Sequence, residues 1–333
     1  MVKAIVLLSG GLDSALALRL MQDQKVDILG VKFTSPFCTC DQKGRCFARE
    51  TALEAGVPFK MFPKGKEYLK VIRKPRYGHG KGMNPCIDCR IFMLRRVKKL
   101  MSETGADFVV TGEVLGQRPM SQHRRAMKII ERESGLKGRI LRPLSARFLP
   151  QTEMERDGLI DREKLLSIQG RSRKPQLTLA KEYDVQNFAC AAGGCMLTQR
   201  EFARKIKDLF DHKTNIAWNE ILLLKVGRHF RFGRNKLIVG RNEEENEVLK
   251  TGKQKTDYLF EALDCGSPIT LLQGKKTREA IVFASAMTAG YSSGSPGADD
   301  RMKVAYGRSG LNRVISVVPL DREEAGRFNI TLL

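Results

Sequence analysis

The sequence predicts an α/β chain in which a doubly wound parallel sheet is followed by a smaller α+β domain. Three observations carry this expectation. Short apolar runs alternate with stretches of helical period through the first half, as in a parallel sheet covered by helices. At 333 residues the chain exceeds the roughly 100–200 residues usual for one domain. Composition then shifts after about residue 215, which predicts a boundary near Lys213–Ala217 and domains over 1–212 and 213–333.

Val2–Leu8 reads as the first strand, Asp13–Gln24 as a helix, Ile28–Phe33 as the second strand and Cys46–Ala55 as a second helix. Phe59–Phe62 is a short third strand. The spacing of Ile91, Leu94, Val97 and Leu100/Met101 predicts a helix over Arg90–Glu103, followed by a strand at Phe108–Thr111. Ile140–Leu144 is a fifth strand, and after a polar, turn-rich stretch from Leu149 to Lys174 helices resume at Gln176–Tyr183 and Thr198–His212. In the second domain Ile221–Val226, Lys236–Val239, Pro268–Leu272, Val304–Tyr306 and Val314–Val318 read as strands, and Arg278–Tyr291 as an Ala-rich helix.

The formal net charge is +22, of which +17 lies in residues 1–212, well beyond what solubility requires, so a polyanionic partner is expected. No apolar run reaches the roughly 18–20 residues of a membrane span, and Met1–Leu8 leads into a Gly-rich turn instead of a signal-peptide core; a soluble, cytoplasmic protein with no membrane partner is expected. Eight cysteines are too sparse for a disulfide scaffold, but they cluster as Cys38/Cys40/Cys46, Cys86/Cys89 and Cys190/Cys195, which points to metal or sulfur chemistry. Four histidines without ligand spacing argue against a histidine-metal hydrolase.

Ser9-Gly10-Gly11-Leu12-Asp13-Ser14 follows a strand and opens a helix, where backbone N–H groups and hydroxyls converge as an anion site. It lacks the lysine of a Walker loop. The segment resembles the pyrophosphate loop of the ATP pyrophosphatase superfamily, whose fold is adenine nucleotide alpha hydrolase-like and whose members cleave ATP between the α- and β-phosphates. Asn84-Pro85-Cys86-Ile87-Asp88-Cys89 resembles the N-P-C-x-x-C element of the tRNA thiouridine synthetases in that superfamily, and Thr111-Gly112-Glu113 their nucleotide-approaching T-G-x. Gly193-Gly194-Cys195 stands where such enzymes carry a second working cysteine.

The resemblance implies an ATP-dependent, AMP- and pyrophosphate-forming sulfurtransferase that adenylates a uridine carbonyl and replaces its oxygen with sulfur. It implies ATP with Mg2+ at Ser9, Gly10, Gly11, Asp13, Ser14 and Gly112, and catalysis by Asp13, Cys86, Cys89 and Cys195. Those three cysteines suit a 4Fe-4S cluster with one open iron, a persulfide carrier with a resolving thiol, or structural zinc. Cys190 could replace Cys195. Cys38, Cys40 and Cys46 read as a second metal site, a sulfur relay or a structural group. The THUMP and rhodanese modules of the familiar 4-thiouridine enzymes have no counterpart, so 2-thiolation of an anticodon uridine and a lysidine-type adenylating ligase stay open as alternatives. The implied partners are tRNA, a cysteine desulfurase or sulfide as sulfur donor, and a second copy of the chain as a homodimer.

Between Lys64 and Lys99 there are 12 Lys/Arg against Glu67 and Asp88, and Arg76, Lys81, Arg95, Arg96, Lys98 and Lys99 are the expected RNA contacts. The segments Lys236–Glu247, Gly266–Pro268 and Thr277–Tyr291 resemble the RNA-binding domain of the NFACT family, across roughly residues 226–310. Charge on the second domain is +5, which favours recognition of RNA shape over bulk attraction.

Overall fold

A computed structural model describes residues 2–39, 44–189, 194–294 and 300–332. Strands β1 (Lys3–Leu7), β2 (Asp27–Thr34), β3 (Phe59–Pro63), β4 (Phe108–Thr111) and β5 (Ile140–Leu141) form one parallel sheet in the order β3-β2-β1-β4-β5. The central strand is buried on both faces, so its apolar run is continuous and its alternation is sorted between two cores. Ala4, Val6 and Leu8 join Leu12, Leu16 and Met21 of α1 (Leu12–Asp23). Ile5 and Leu7 join Ile91, Leu94 and Val97 of a long helix, α4 (Cys86–Thr104).

The remaining helices of this unit are α2 (Phe47–Glu54), α3 (Glu67–Arg73), α5 (Arg124–Ser134), α6 (Glu153–Arg156) and α7 (Lys174–Glu182). Neither α3 nor α5 was expected from the sequence. Six of the eleven residues of α5 are charged and mask an apolar face of Ala126, Met127 and Ile130. Its ends are marked more clearly, by His123 Nδ1 accepting from the Ala126 N–H at 3.3 Å and by Gly135 in the left-handed conformation at φ 69°. Helix α4 begins at Cys86, ahead of the expected Arg90, which brings both cysteines of the C-x-x-C into its first turn.

The chain divides at Thr198/Gln199, ahead of the 212/213 boundary expected from composition. Helix α8 (Arg200–His212) belongs to the second unit because its polar side is committed there. Its buried Lys205 ammonium donates to the carbonyls of Leu224 and Gly227, and Asp208 holds Arg231 (Nε 2.9 Å) and Lys236 (3.5 Å). Helix α9 (Trp218–Leu223) replaces the strand expected at Ile221–Val226. A short apolar run is compatible with either state, and here Ile221, Leu223 and Leu224 are buried while Leu222 is exposed. Glu220 accepts from the Ala217 N–H at 2.9 Å and secures the helix start.

Strands β6 (Arg228–Phe232), β7 (Asn235–Val239), β8 (Tyr258–Ala262), β9 (Thr270–Gln273), β10 (Met302–Gly307) and β11 (Arg313–Val317) make an antiparallel sheet ordered β11-β10-β8-β9-β7-β6, with α10 (Glu243–Gly252) following β7 and α12 (Arg322–Gly326) near the end. Helix α11 (Arg278–Gly290) lays Ala280, Ala284 and Met287 against Phe230, Phe260 and Leu272.

Asp208 is the carboxylate that compensates two largely buried cations. Asp208→Asn should therefore lower stability by about 3 kcal/mol or more, the range found when one partner of a buried pair is removed. The midpoint and slope of urea unfolding measure this.

Candidate functional site

The Ser9–Ser14 turn leaves the carboxyl end of β1, the edge where open parallel sheets carry ligands. Gly10 has φ 83°, and a Cβ there would lie 3.1 Å from that of Phe47. The Ser14 hydroxyl donates to the Gly11 carbonyl at 2.7 Å and accepts from the Ser9 N–H at 3.2 Å, so the loop is closed on itself. Gly11 caps α1 with no side-chain cap, which leaves first-turn N–H groups for an anion. Gly112, just past β4, packs so tightly on this turn that a Cβ would sit 2.4 Å from the Asp13 carbonyl oxygen. The Gln117 amide donates to Asp13 Oδ2 at 2.9 Å, while the buried Oδ1 has no hydrogen-bond partner among the described residues. An orphaned carboxylate oxygen beside an uncapped, glycine-lined helix start fits Mg2+-ATP.

A second site lies at the same edge. Lys64 follows β3, its N–H donates to the Thr34 carbonyl at 2.9 Å, and its side chain is 7% exposed. The ammonium donates to Cys89 Sγ at 3.1 Å and stands 4.5 Å from the centre of the Tyr68 ring, whose hydroxyl donates to the same sulfur. Burial opposes a thiolate at Cys89, but Lys64, Tyr68 and Arg90 together hold its pKa below the ordinary thiol value. Cys195 has no such ammonium contact, and burial above all pushes its thiol up to about 12.

The structure brings Cys89 and Cys195 together with Lys64, but their third companion is Cys38. Cys38 and Cys195 are opposed in an antiparallel bridge, flanked by Met196 N–H donating to the Phe37 carbonyl at 2.9 Å and Gly194 N–H donating to Thr39 Oγ1 at 2.8 Å. The Met83 N–H donates to the Leu197 carbonyl at 2.8 Å, tying this segment to the loop before α4. Cys86, expected as a working cysteine, accepts instead from Asn84 Nδ2 at 3.1 Å. The Cys38/Cys40/Cys46 grouping also separates: Cys46 Sγ takes the buried Lys32 ammonium at 3.4 Å, and Cys40, like Cys190, lies outside the described residues. Among the described residues no three Cys, His, Asp or Glu side chains converge to hold a metal. With Cys89 bound to an ammonium and Cys86 to an amide, this arrangement does not fit a 4Fe-4S cluster or zinc on Cys86, Cys89 and Cys195.

Glu113, next to Gly112, is buried between Arg142 (Nε to Oε2 3.0 Å) and Arg90 (Nε to Oε1 3.2 Å). Burial disfavours its charge, but the two guanidiniums outweigh this and keep it ionised. Of the expected RNA contacts, Arg76, Lys81, Arg95, Lys98 and Lys99 are exposed and Arg96 is half-buried. Arg76 is 3.0 Å and Arg95 3.9 Å from the Glu133 carboxylate, and Arg96 pairs with Glu67 at 2.6 Å. Arg95, Arg96 and Lys99 line a groove beside α3 and α4. Sequence reasoning missed Lys64 and Tyr68 as sulfur neighbours and Gln117 as the Asp13 partner. Lys64 was legible as one more member of a basic run, and no local pattern marks the other two.

Residues 2–133 match the family described as the tRNA methyl transferase HUP domain, and residues 227–329 match the NFACT protein RNA binding domain. Both resemblances read from the sequence are borne out. The tRNA-specific 2-thiouridylase MnmA of Leptospira interrogans is 30% identical over 129 residues, 33% of this chain and 33% of that protein. The protein of the same name from Clostridium acetobutylicum is 32% identical over 124 residues, 33% of this chain and 35% of its own. The chain thus spans about a third of the length of the curated relatives it matches. Among solved structures, a 4-thiouridine synthetase–RNA complex with bound ATP is similar at 24% identity and TM-score 0.35, over 59% of this chain and 45% of that one. The U34-tRNA thiolase NcsA from Methanococcus maripaludis with its 4Fe-4S cluster is similar at 16% identity and TM-score 0.33, over 67% and 71%. Among the described residues no helix is long and apolar enough to cross a membrane.

Because the Cys89 pKa is depressed, its thiolate should persist below the ordinary thiol value of about 8.5 and disappear only as pH falls through the lowered value. Lys64→Met should move the midpoint of Cys89 alkylation upward. Iodoacetamide labelling against pH with peptide mapping reads this; an unmoved midpoint contradicts the ion pair.

Proposed function

We propose that this chain is an ATP-dependent tRNA thiouridine synthetase that adenylates a uridine carbonyl oxygen and replaces it with sulfur through cysteine thiols. What supports the reading most is one observation: the Ser9–Ser14 turn and the Lys64–Cys89–Cys195 pocket open on the same carboxyl edge of one sheet. ATP supplies the α-phosphorus that turns the carbonyl oxygen into part of a leaving group. Ser9, Gly10, Gly11 and Ser14 hold the pyrophosphate end through backbone N–H groups and hydroxyls, with Asp13 placed for the metal and Gly112 closing on the turn. Cys89, its pKa lowered by the Lys64 ammonium, carries the sulfur as a persulfide received from a persulfide-bearing donor. Cys195, protonated at neutral pH, serves as the resolving thiol. The second unit is the RNA-recognition module, and the cytoplasm is where tRNA is met.

The 2-carbonyl is favoured over the 4-carbonyl by one observation, that the matching relatives are named 2-thiouridylases. Mass spectrometry of tRNA nucleosides from cells lacking the protein distinguishes the two. Stoichiometric iron and inorganic sulfide in anaerobically purified protein would overturn the thiol route.

Asp13→Ala should abolish tRNA-dependent formation of AMP and pyrophosphate while circular dichroism stays unchanged; ADP and phosphate as the unaltered protein's products contradict the reading. The combined Arg95→Glu and Lys99→Glu changes should weaken tRNA binding at every salt concentration and reduce the slope of log affinity against log salt by about one for each phosphate that is no longer neutralised. Filter binding across a salt series checks this.

A further inference from the structure

Cys38 is not part of the C-x-x-C that the resemblance singles out, yet it is the residue set opposite Cys195. The hydrogen bonds that flank the bridge run between Phe37 and Met196 and between Thr39 and Gly194, not between the two cysteines themselves. That pattern makes them a non-hydrogen-bonded antiparallel pair, in which side chains share a face and Cα atoms lie about 4.5 Å apart, inside the span a disulfide bridges. Cys38, Cys89 and Cys195 all carry free thiols, and none of the three residues is wholly buried, although the sulfurs of Cys89 and Cys195 are largely withdrawn from solvent. Lys64 lies within electrostatic reach of each.

We propose that Cys38 is a third working thiol of this site, taking over from Cys89 the disulfide that sulfur release leaves on Cys195. This rests on the thiouridine synthetase reading. After the terminal sulfur of the Cys89 persulfide has displaced AMP, the base is joined to Cys89 through an S–S bond. Cys195 attacks Cys89 Sγ; that bond breaks, its electron pair leaves on the base sulfur, and the proton given up by Cys195 goes to the released thiouridine. Cys38 then attacks Cys195 Sγ, loses its proton to solvent, and expels Cys89 as a thiolate. The Lys64 ammonium 3.1 Å from Cys89 Sγ stabilises this leaving group, and thiol–disulfide exchange is faster toward a better leaving thiol. Cys89 is thereby freed for the next sulfur, while the Cys38–Cys195 disulfide takes two electrons and two protons from a dithiol reductant.

The test is a single turnover of the full chain with tRNA, ATP and a protein persulfide donor, without added reductant, quenched by iodoacetamide and mapped by mass spectrometry. The unaltered protein should yield thiolated tRNA, a linked Cys38–Cys195 peptide and an alkylated Cys89. Cys38→Ser should yield the same single round of thiolation but a linked Cys89–Cys195 peptide, with loss of Cys89 alkylation. Thiolated tRNA with Cys38 still alkylated in the unaltered protein overturns the relay alone. Absence of thiolated tRNA from the unaltered protein overturns the functional reading and the relay with it. The mapping on unaltered protein stands even where Cys38→Ser fails to fold.

Discussion

An ammonium withdrawn from water costs several kcal/mol unless an anion meets it, and at Lys64 that anion is a cysteine sulfur. The pairing organises everything around it. Lys64 is placed by the register of β3 on β2, Tyr68 one turn later along α3 covers it with its ring, and α4 supplies the sulfur from its first turn. The positive end of α4 acts in the same direction as the lysine, since a helix start favours a thiolate. Remove the charge and the pocket holds a buried neutral thiol of no particular reactivity.

A second buried electrostatic link connects this pocket to the Ser9–Ser14 turn. Gly112 contacts the Asp13 backbone, and the adjoining Glu113 takes Arg90, the neighbour of Cys89, together with Arg142. Such buried ion pairs contribute little net stability against apolar replacements. What Glu113 does is restrict geometry: the β4 turn cannot slide relative to α4 without separating its carboxylate from the Arg90 and Arg142 guanidiniums. In the proposed reaction, adenylation and sulfur delivery on one carbonyl would require that kind of fixed spacing.

The sheet was legible because each buried strand is a continuous apolar run bounded by turns, and the Ser9–Ser14 and Asn84–Cys89 segments because their chemistry is compressed into six residues. Helix α5 was not, since its apolar face is three residues among charges, and α9 reads as a strand because an apolar run carries no period that separates strand from helix. The domain boundary shifts for a related reason: α8 is amphipathic in composition like its predecessors, and only the burial of Lys205 and the pairing of Asp208 assign it to the second unit. In the site, Cys86 stands out in the sequence more than in the fold because spacing along a chain reports proximity but not which way a sulfur turns. Cys38 and Lys64 stand out less because they approach Cys195 and Cys89 from distant segments.

Cys89 and Cys195 show how far environment exceeds residue type. Both are cysteines at one edge of one sheet, yet against burial an ammonium, a phenol and a guanidinium hold the first below the ordinary thiol value, while burial, only partly offset by the Leu197 N–H and the Lys64 charge, raises the second to about 12. In the proposed reaction two thiols pushed apart in this way would divide the work of sulfur transfer, one carrying the persulfide and the other releasing it with a proton. A symmetric pair would compete for the same sulfur. The separation arises because the Lys64 ammonium donates to Cys89 Sγ and Arg90 adds to it, while at Cys195 the Lys64 charge is outweighed by burial.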